Sequence, residues 1–166
     1  MKNITIILGI LLAFLVGMNI GGYFYKLPYS QNETAYEPSL SGYAHVQPTI
    51  NSTTIYIASG CNVITFDVTA DQAYSIANGM QNTLSSRPLT HDIMTDLMDV
   101  FGIQITQIKI DRYANGIYYT TIIFRSGDKV LELDARPSDA IALATRTKTP
   151  VYIRESFLEL NGEKIC

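Results

Sequence analysis

Apolar positions along the chain fall into three regimes. From Ile4 to Ile20 they are almost continuous, and no charge interrupts the run before Lys26. Residues 27–53 show no sustained period and are rich in Ser, Thr, Asn, Pro, Tyr and Gly. From residue 54 onward, short β-branched and aromatic runs alternate with stripes at helical spacing, the pattern of a folded domain.

The first regime predicts a transmembrane anchor over 1–26. Residues 4–25 are about 22 uncharged positions, long enough as a helix to cross a bilayer core of about 30 Å. Tyr23 and Tyr25 sit where an interfacial aromatic belt belongs, and Lys26 closes the segment. No Ala-x-Ala site follows the run, which favours an uncleaved signal-anchor over a cleaved signal peptide. Asn32-Glu33-Thr34 and Asn51-Ser52-Thr53 match the glycosylation pattern and favour a single-pass protein of the cell membrane with its domain outside the cytoplasm. Residues 27–53, interrupted by Pro28, Pro38 and Pro48, read as a flexible tether.

In 54–166 the pattern predicts β-β-α-α-β-β-β-α-β. Ile55–Ala58 and Val63–Val68 read as strands about Ser59-Gly60. Thr69-x-x-Gln72 is a capping-box pattern opening a helix to about Gln81, with Ala73, Ile76, Ala77 and Met80 on one face. Thr90 is expected to cap a second helix, lined by Ile93, Met94, Leu97, Met98 and Phe101 and stopped by Gly102. Residues 103–113, 117–125 and 129–134 read as a meander turning at Asn115-Gly116 and Gly127-Asp128. Ser138 is expected to cap a third helix to about Lys148, and Val151–Ile153 is a last strand. The fold class is α+β: a mixed or antiparallel sheet covered by helices. No Gly-rich phosphate loop follows a strand, which argues against a dinucleotide-binding fold.

Charge narrows the partners. Lys2 and Lys26 lie in the anchor, leaving ten basic against 15 acidic residues and a formal charge of −5 beyond it. That disfavours sequence-independent binding to nucleic acid through phosphate neutralisation. A bound cation or a local basic patch would offset it. Cys61 and Cys166 suit either a bridge or two free thiols, and no clustered Cys/His pattern suggests a zinc site.

Candidate chemistry concentrates in two similar turns. Arg87-Pro88-Leu89-Thr90-His91-Asp92 and Asp134-Ala135-Arg136-Pro137-Ser138-Asp139 each set an arginine, a proline, a hydroxyl and an acid at a helix start. Every one of these residues also has a structural reading. The hydroxyls suit caps, and Asp92 and Asp139 suit the helix dipole or a pairing with Arg87 and Arg136. Functionally, Asp92, Asp134 and Asp139 are oxygen ligands for Mg²⁺ or Mn²⁺ if they converge. His91, at a helix start beside an acid, suits proton transfer or ligation. Arg87 and Arg136 suit phosphate oxygens.

The two motifs, in this order, each followed by a helix and separated by a strand-rich segment, resemble the bifunctional nuclease domain over roughly residues 61–155. The resemblance implies hydrolysis of phosphodiester bonds in DNA or RNA with a divalent cation, with nucleic acid as partner. His91, Asp92, Asp134 and Asp139 are then the catalytic set. The anchor and tether have no counterpart in soluble members of the family. The alternative is a non-catalytic anchored module that binds a ligand or partner, or assembles into a homo-oligomer.

Overall fold

The computed structural model describes residues 38–166. The expected anchor over 1–26 lies outside them, and among the described residues no helix is long and apolar enough to cross a membrane. Nine strands and four helices are described: β1 (Tyr43–Val46), β2 (Thr49–Asn51), β3 (Thr54–Ser59), β4 (Asn62–Asp67), α1 (Ala70–Gln81), α2 (Thr90–Val100), β5 (Gln104–Ala114), β6 (Ile117–Ser126), β7 (Lys129–Ala135), α3 (Pro137–Thr147), β8 (Val151–Arg154), α4 (Glu155–Asn161) and β9 (Glu163–Lys164). The fold is α+β as expected, but it holds two sheets where one was expected. One runs β1-β8-β5-β6-β7 and the other β2-β3-β4-β9. Among the described strands only β5 and β8 pair in parallel.

α3 organises the domain. It follows β7, lies against β5 and β6, and carries α1 and α2 on its flank. Its positions Ala140 to Ala144 are all buried, so little of the helix meets water. Ile141 and Leu143 join Ile108, Ile110, Ile122 and Phe124 of the sheet in the core. Ile55, Ile57, Ile64, Phe157 and Leu158 extend that core to the second sheet and α4. Each fully buried aliphatic side chain contributes about 1.5–3 kcal/mol relative to exposure. α1 approaches α3 at Gly79, where an added Cβ would stand 2.1 Å from Thr145 Oγ1. A glycine that weakens an isolated helix is therefore required for this packing.

Three expectations need correction. Residues 43–46 and 49–51, within the stretch read as tether, are strands. Val46 is buried, and the Tyr43 hydroxyl donates to Asp111 while its ring receives the Arg154 guanidinium at 4.7 Å. Composition hid this, because a short edge strand anchored by one tyrosine carries no periodic signal. The chain after Ile153 also adds α4 and β9, held by buried Phe157 and Leu158 and by β9 pairing with β4. Finally, the apolar stripe of α2 is split. Met98 is buried, whereas Ile93, Leu97 and Phe101 are exposed.

Cys61 and Cys166 are disulfide-bonded, with Cα atoms 5.3 Å apart. Of the two alternatives left open by the sequence, the bridge is the one formed. It fastens the tail beside the β3–β4 turn, where Ile165 N–H donates to Cys61 C=O at 2.9 Å.

Candidate functional site: two helix starts brought together

The starts of α2 and α3 share one local design that differs from the expected one. Thr90 and Ser138 are not caps. The N-cap positions are Leu89 and Arg136, neither with a capping side chain, and Pro137 opens α3. Proline suits that position because its missing N–H would be unpaired there anyway. Asp92 and Asp139 then fall at the third helical position of their helices. Asp92 Oδ2 accepts the Leu89 N–H at 2.7 Å, so the acid itself completes the cap. Asp139 instead receives Arg136 in two parallel bonds, Nε to Oδ2 at 2.7 Å and Nη2 to Oδ1 at 2.9 Å.

Ser138 is buried and faces α1. Its Oγ accepts from Gln72 Nε2 at 3.0 Å. The same Gln72 forms the capping box with Thr69, its Oε1 receiving the Thr69 N–H at 2.9 Å. The sequence-level capping box is thus present, and its glutamine also ties α1 to the second motif.

Arg146, on α3, joins all three helices. Its Nε donates to Asp92 Oδ1 at 2.6 Å, and Nη1 donates to the carbonyls of Ser75 at 3.1 Å and Ala142 at 2.8 Å. Nη2 reaches Ser75 Oγ at 3.3 Å. Both members of the ion pair are nearly buried, with side-chain exposures of 8% and 10%. Burial pushes the Asp92 pKa up, but the Arg146 hydrogen bond, the Leu89 N–H and the Arg146 charge outweigh it and hold the carboxyl below its usual range. Both carboxylate oxygens are occupied, so Asp92 reads as a structural anchor.

His91 lies between this buried pair and the surface. Its Nδ1 is 2.9 Å from Ser75 Oγ, and its Nε2 is 3.6 Å from Asp139 Oδ1. The second distance is an electrostatic contact and too long for a direct hydrogen bond. Burial lowers the His91 pKa below 6.5; Asp139 opposes this and Arg146 adds to it. The ring is therefore neutral near pH 7. Arg136, 70% exposed, leaves its guanidinium open to solvent beside His91. The sequence singled out His91, Asp92, Arg136 and Asp139, and the fold brings them together. Arg87 is exposed near the start of α2.

Asp134 is elsewhere. It lies on β7 opposite Thr121 and lines a separate cleft of about 660 Å³ with Asp111, Arg112, Tyr119, Thr121 and Arg154. There Asp111 sits at a break in the β5–β6 register and accepts from Tyr43, Thr121 and Arg154. Burial and then Asp111 push the Tyr43 pKa up to about 12. Asp92, Asp134 and Asp139 do not form one donor set, and no group of three or more His, Cys, Asp or Glu suited to a metal occurs among the described residues. The residues present do not fit the three-carboxylate cation site expected from the sequence.

Sequence reasoning missed Ser75 and Arg146, and gave Gln72 a capping role without its bond to Ser138. Arg146 had a faint signal: it lies seven residues beyond Asp139, two turns along the same helical face. Ser75 had none, since its role depends on a neighbour 16 residues away.

The pairing of two Arg-Pro helix starts in an α+β domain has a family. Residues 57–165 match the model of the bifunctional nuclease domain, and the chain belongs to that family. It is 32% identical over 105 residues to an uncharacterized protein of Mycobacterium tuberculosis, a match covering 63% of this chain and 62% of that one. It is 26% identical over 89 residues to Bifunctional nuclease 2 of Arabidopsis thaliana, covering 52% of this chain and 27% of the relative. Bifunctional nuclease 1 of the same plant is 21% identical over a stretch of the same length. The matched stretch thus spans less than two thirds of each relative.

Proposed function

We propose that this protein is a membrane-anchored nuclease that hydrolyses phosphodiester bonds in DNA or RNA. One observation carries the reading: His91 Nε2 lies 3.6 Å from Asp139 Oδ1, which joins the two motifs at the surface. In this reading His91 meets the scissile phosphate. Arg136 exchanges its partner, Asp139, for a phosphate oxygen, a match of planar donors to an oxyanion. Arg87 adds charge near the start of α2. Asp92 and Arg146 keep α2 and α3 in register. The divalent cation enters the assay as a variable. The full chain in detergent, incubated with DNA and with RNA, with and without Mg²⁺ or Mn²⁺, should cleave one of them, and His91→Ala should remove the activity. No cleavage of either polymer under any of these conditions would sink the proposal.

A second reading has its own support. Arg146 and Arg136 occupy Asp92 and Asp139, as expected of a non-catalytic binding module. Binding without cleavage in the same assay would favour it.

We also place the domain outside the cytoplasm. The Cys61–Cys166 bridge suits an oxidising compartment, and Asn51 of the second sequon is exposed. Protease added to intact cells should digest the domain. Full protection, in cells whose other surface proteins are cleaved, would reverse the orientation.

A further inference from the structure

We infer that Ser75 is a positioning residue that fixes His91 as its Nε2–H tautomer, so that His91 offers an anionic substrate a hydrogen-bond donor and not a base. The tautomer stands on the geometry and the charges around the ring. The donor role rests on the phosphodiesterase reading above.

A serine hydroxyl has one proton and two lone pairs. Arg146 Nη2, 3.3 Å from Ser75 Oγ, can only donate, so it takes a lone pair. Thr95 and Thr145, on the neighbouring helices, direct their protons to carbonyls three or four residues back. Ser75 instead contacts His91 Nδ1 at 2.9 Å, a pair in which either side can donate, and the charges at the two ring edges assign the proton to Ser75. The ring's own proton then sits on Nε2. The Arg146 cation lies behind the Nδ1 edge, and the Asp139 carboxylate faces Nε2 at 3.6 Å. Ser75 itself is buried and so does not reach a substrate as a nucleophile.

The consequence is chemical. With Nδ1 turned inward to Ser75 and Nε2 protonated, the neutral ring has no lone pair at its outer edge. It can neither take a proton from water there nor ligate a cation there. Beside Arg136 it forms a pair of donors facing Asp139, ready for a phosphate oxygen to replace that carboxylate. Donors preset at a developing oxyanion lower the barrier by stabilising charge in the transition state.

The test is long-range ¹H–¹⁵N correlation on histidine-labelled full-length protein in detergent at pH about 7.5, where a histidine of pKa 6.5 or lower is neutral. The His91→Gln spectrum separates His91 from His45. His91 should show a protonated Nε2 and an unprotonated Nδ1, and a protonated Nδ1 overturns the assignment. Ser75→Ala should release the second tautomer, and Ser75→Thr, which keeps the hydroxyl, should suppress it. An unchanged Ser75→Ala spectrum overturns the positioning role. In cleavage assays His91→Gln sets an amide N–H near the place of Nε2 and should retain activity within about tenfold. His91→Ala, which removes the donor, should lose about 100-fold or more. Equal losses in the two variants overturn the donor role. A wild type that cleaves nothing overturns the phosphodiesterase reading and the donor role with it, while the spectrum still decides the tautomer.

Discussion

Arg146 Nε lies 2.6 Å from Asp92 Oδ1 across 54 residues of chain, in a pair almost closed to solvent. Desolvation makes such a pair a weak source of net stability, but its loss on one side is costly. Asp92→Asn should destabilise the fold by about 3–5 kcal/mol, because the Arg146 charge is left buried without its counter-ion. Thermal unfolding at pH 7 reads this. In wild type the Asp92 carboxyl is held below its usual pKa, so its contribution is present above the unfolded value and lost as pH falls through the folded one. A variant melting like wild type would move Asp92 out of the structural role.

Asp139 should behave oppositely. Its partner Arg136 is 70% exposed, and such pairs are worth about 0–1 kcal/mol. Asp139→Asn should leave the melting temperature nearly unchanged but lower cleavage, because Arg136 and His91 Nε2 are no longer preset before the phosphate arrives. Normal cleavage at normal stability would remove Asp139 from the site.

His91 makes stability fall with acid. Burial sets its folded pKa below 6.5, so as pH drops below about 6.5 the unfolded chain takes up the proton more readily than the folded one. The loss grows until pH passes the folded pKa and then levels off. His91→Gln should flatten this part of the stability–pH curve, as followed by denaturant titration at several pH values. A parallel curve in the variant would show that another group carries it.

Gly79→Ala should destabilise the domain although alanine is the better helix former. The added methyl would stand 2.1 Å from Thr145 Oγ1, forcing α1 from α3 at a cost of about 1–3 kcal/mol. The double variant Gly79→Ala with Thr145→Ala should recover part of that loss. Chemical denaturation of the three proteins checks both statements.

Reducing the Cys61–Cys166 bridge opens a link spanning 105 residues. In the chain-entropy account, a closed loop of that size is worth about 4–5 kcal/mol. Cys166→Ser should lower the unfolding free energy from denaturant titration by an amount in this range, and reductant should have no further effect on the variant.

Much of the secondary structure was legible because its signals are local. Thr69-x-x-Gln72 marks the start of α1 and Asn115-Gly116 the β5–β6 turn, and α3, read to about Lys148, ends at Thr147. What failed was also local in form but tertiary in cause. Ser138 looks like a cap by residue type and position, yet its hydroxyl is taken by Gln72, 66 residues away. Residues 43–46 look like linker by composition, yet Tyr43 finds Asp111 across the sheet.

The candidate site divides in the same way. Residue types and spacing alone determined that two Arg-Pro turns each begin a helix with an aspartate in its first turn, because proline geometry and unpaired helix amides act within a few residues. Whether those turns meet depends on α1, α2 and α3 packing together. That packing is set by Gly79, by the apolar face of α3 and by Arg146 spanning three helices. It places His91 against Ser75 and Asp139, and leaves Asp134, two residues before Arg136, on β7 facing another cleft. A strand sends neighbouring side chains to opposite faces, and the turn after β7 redirects the chain into α3. Closeness in sequence therefore says nothing about which carboxylates share a site, and only the tertiary structure separates Asp134 from Asp139.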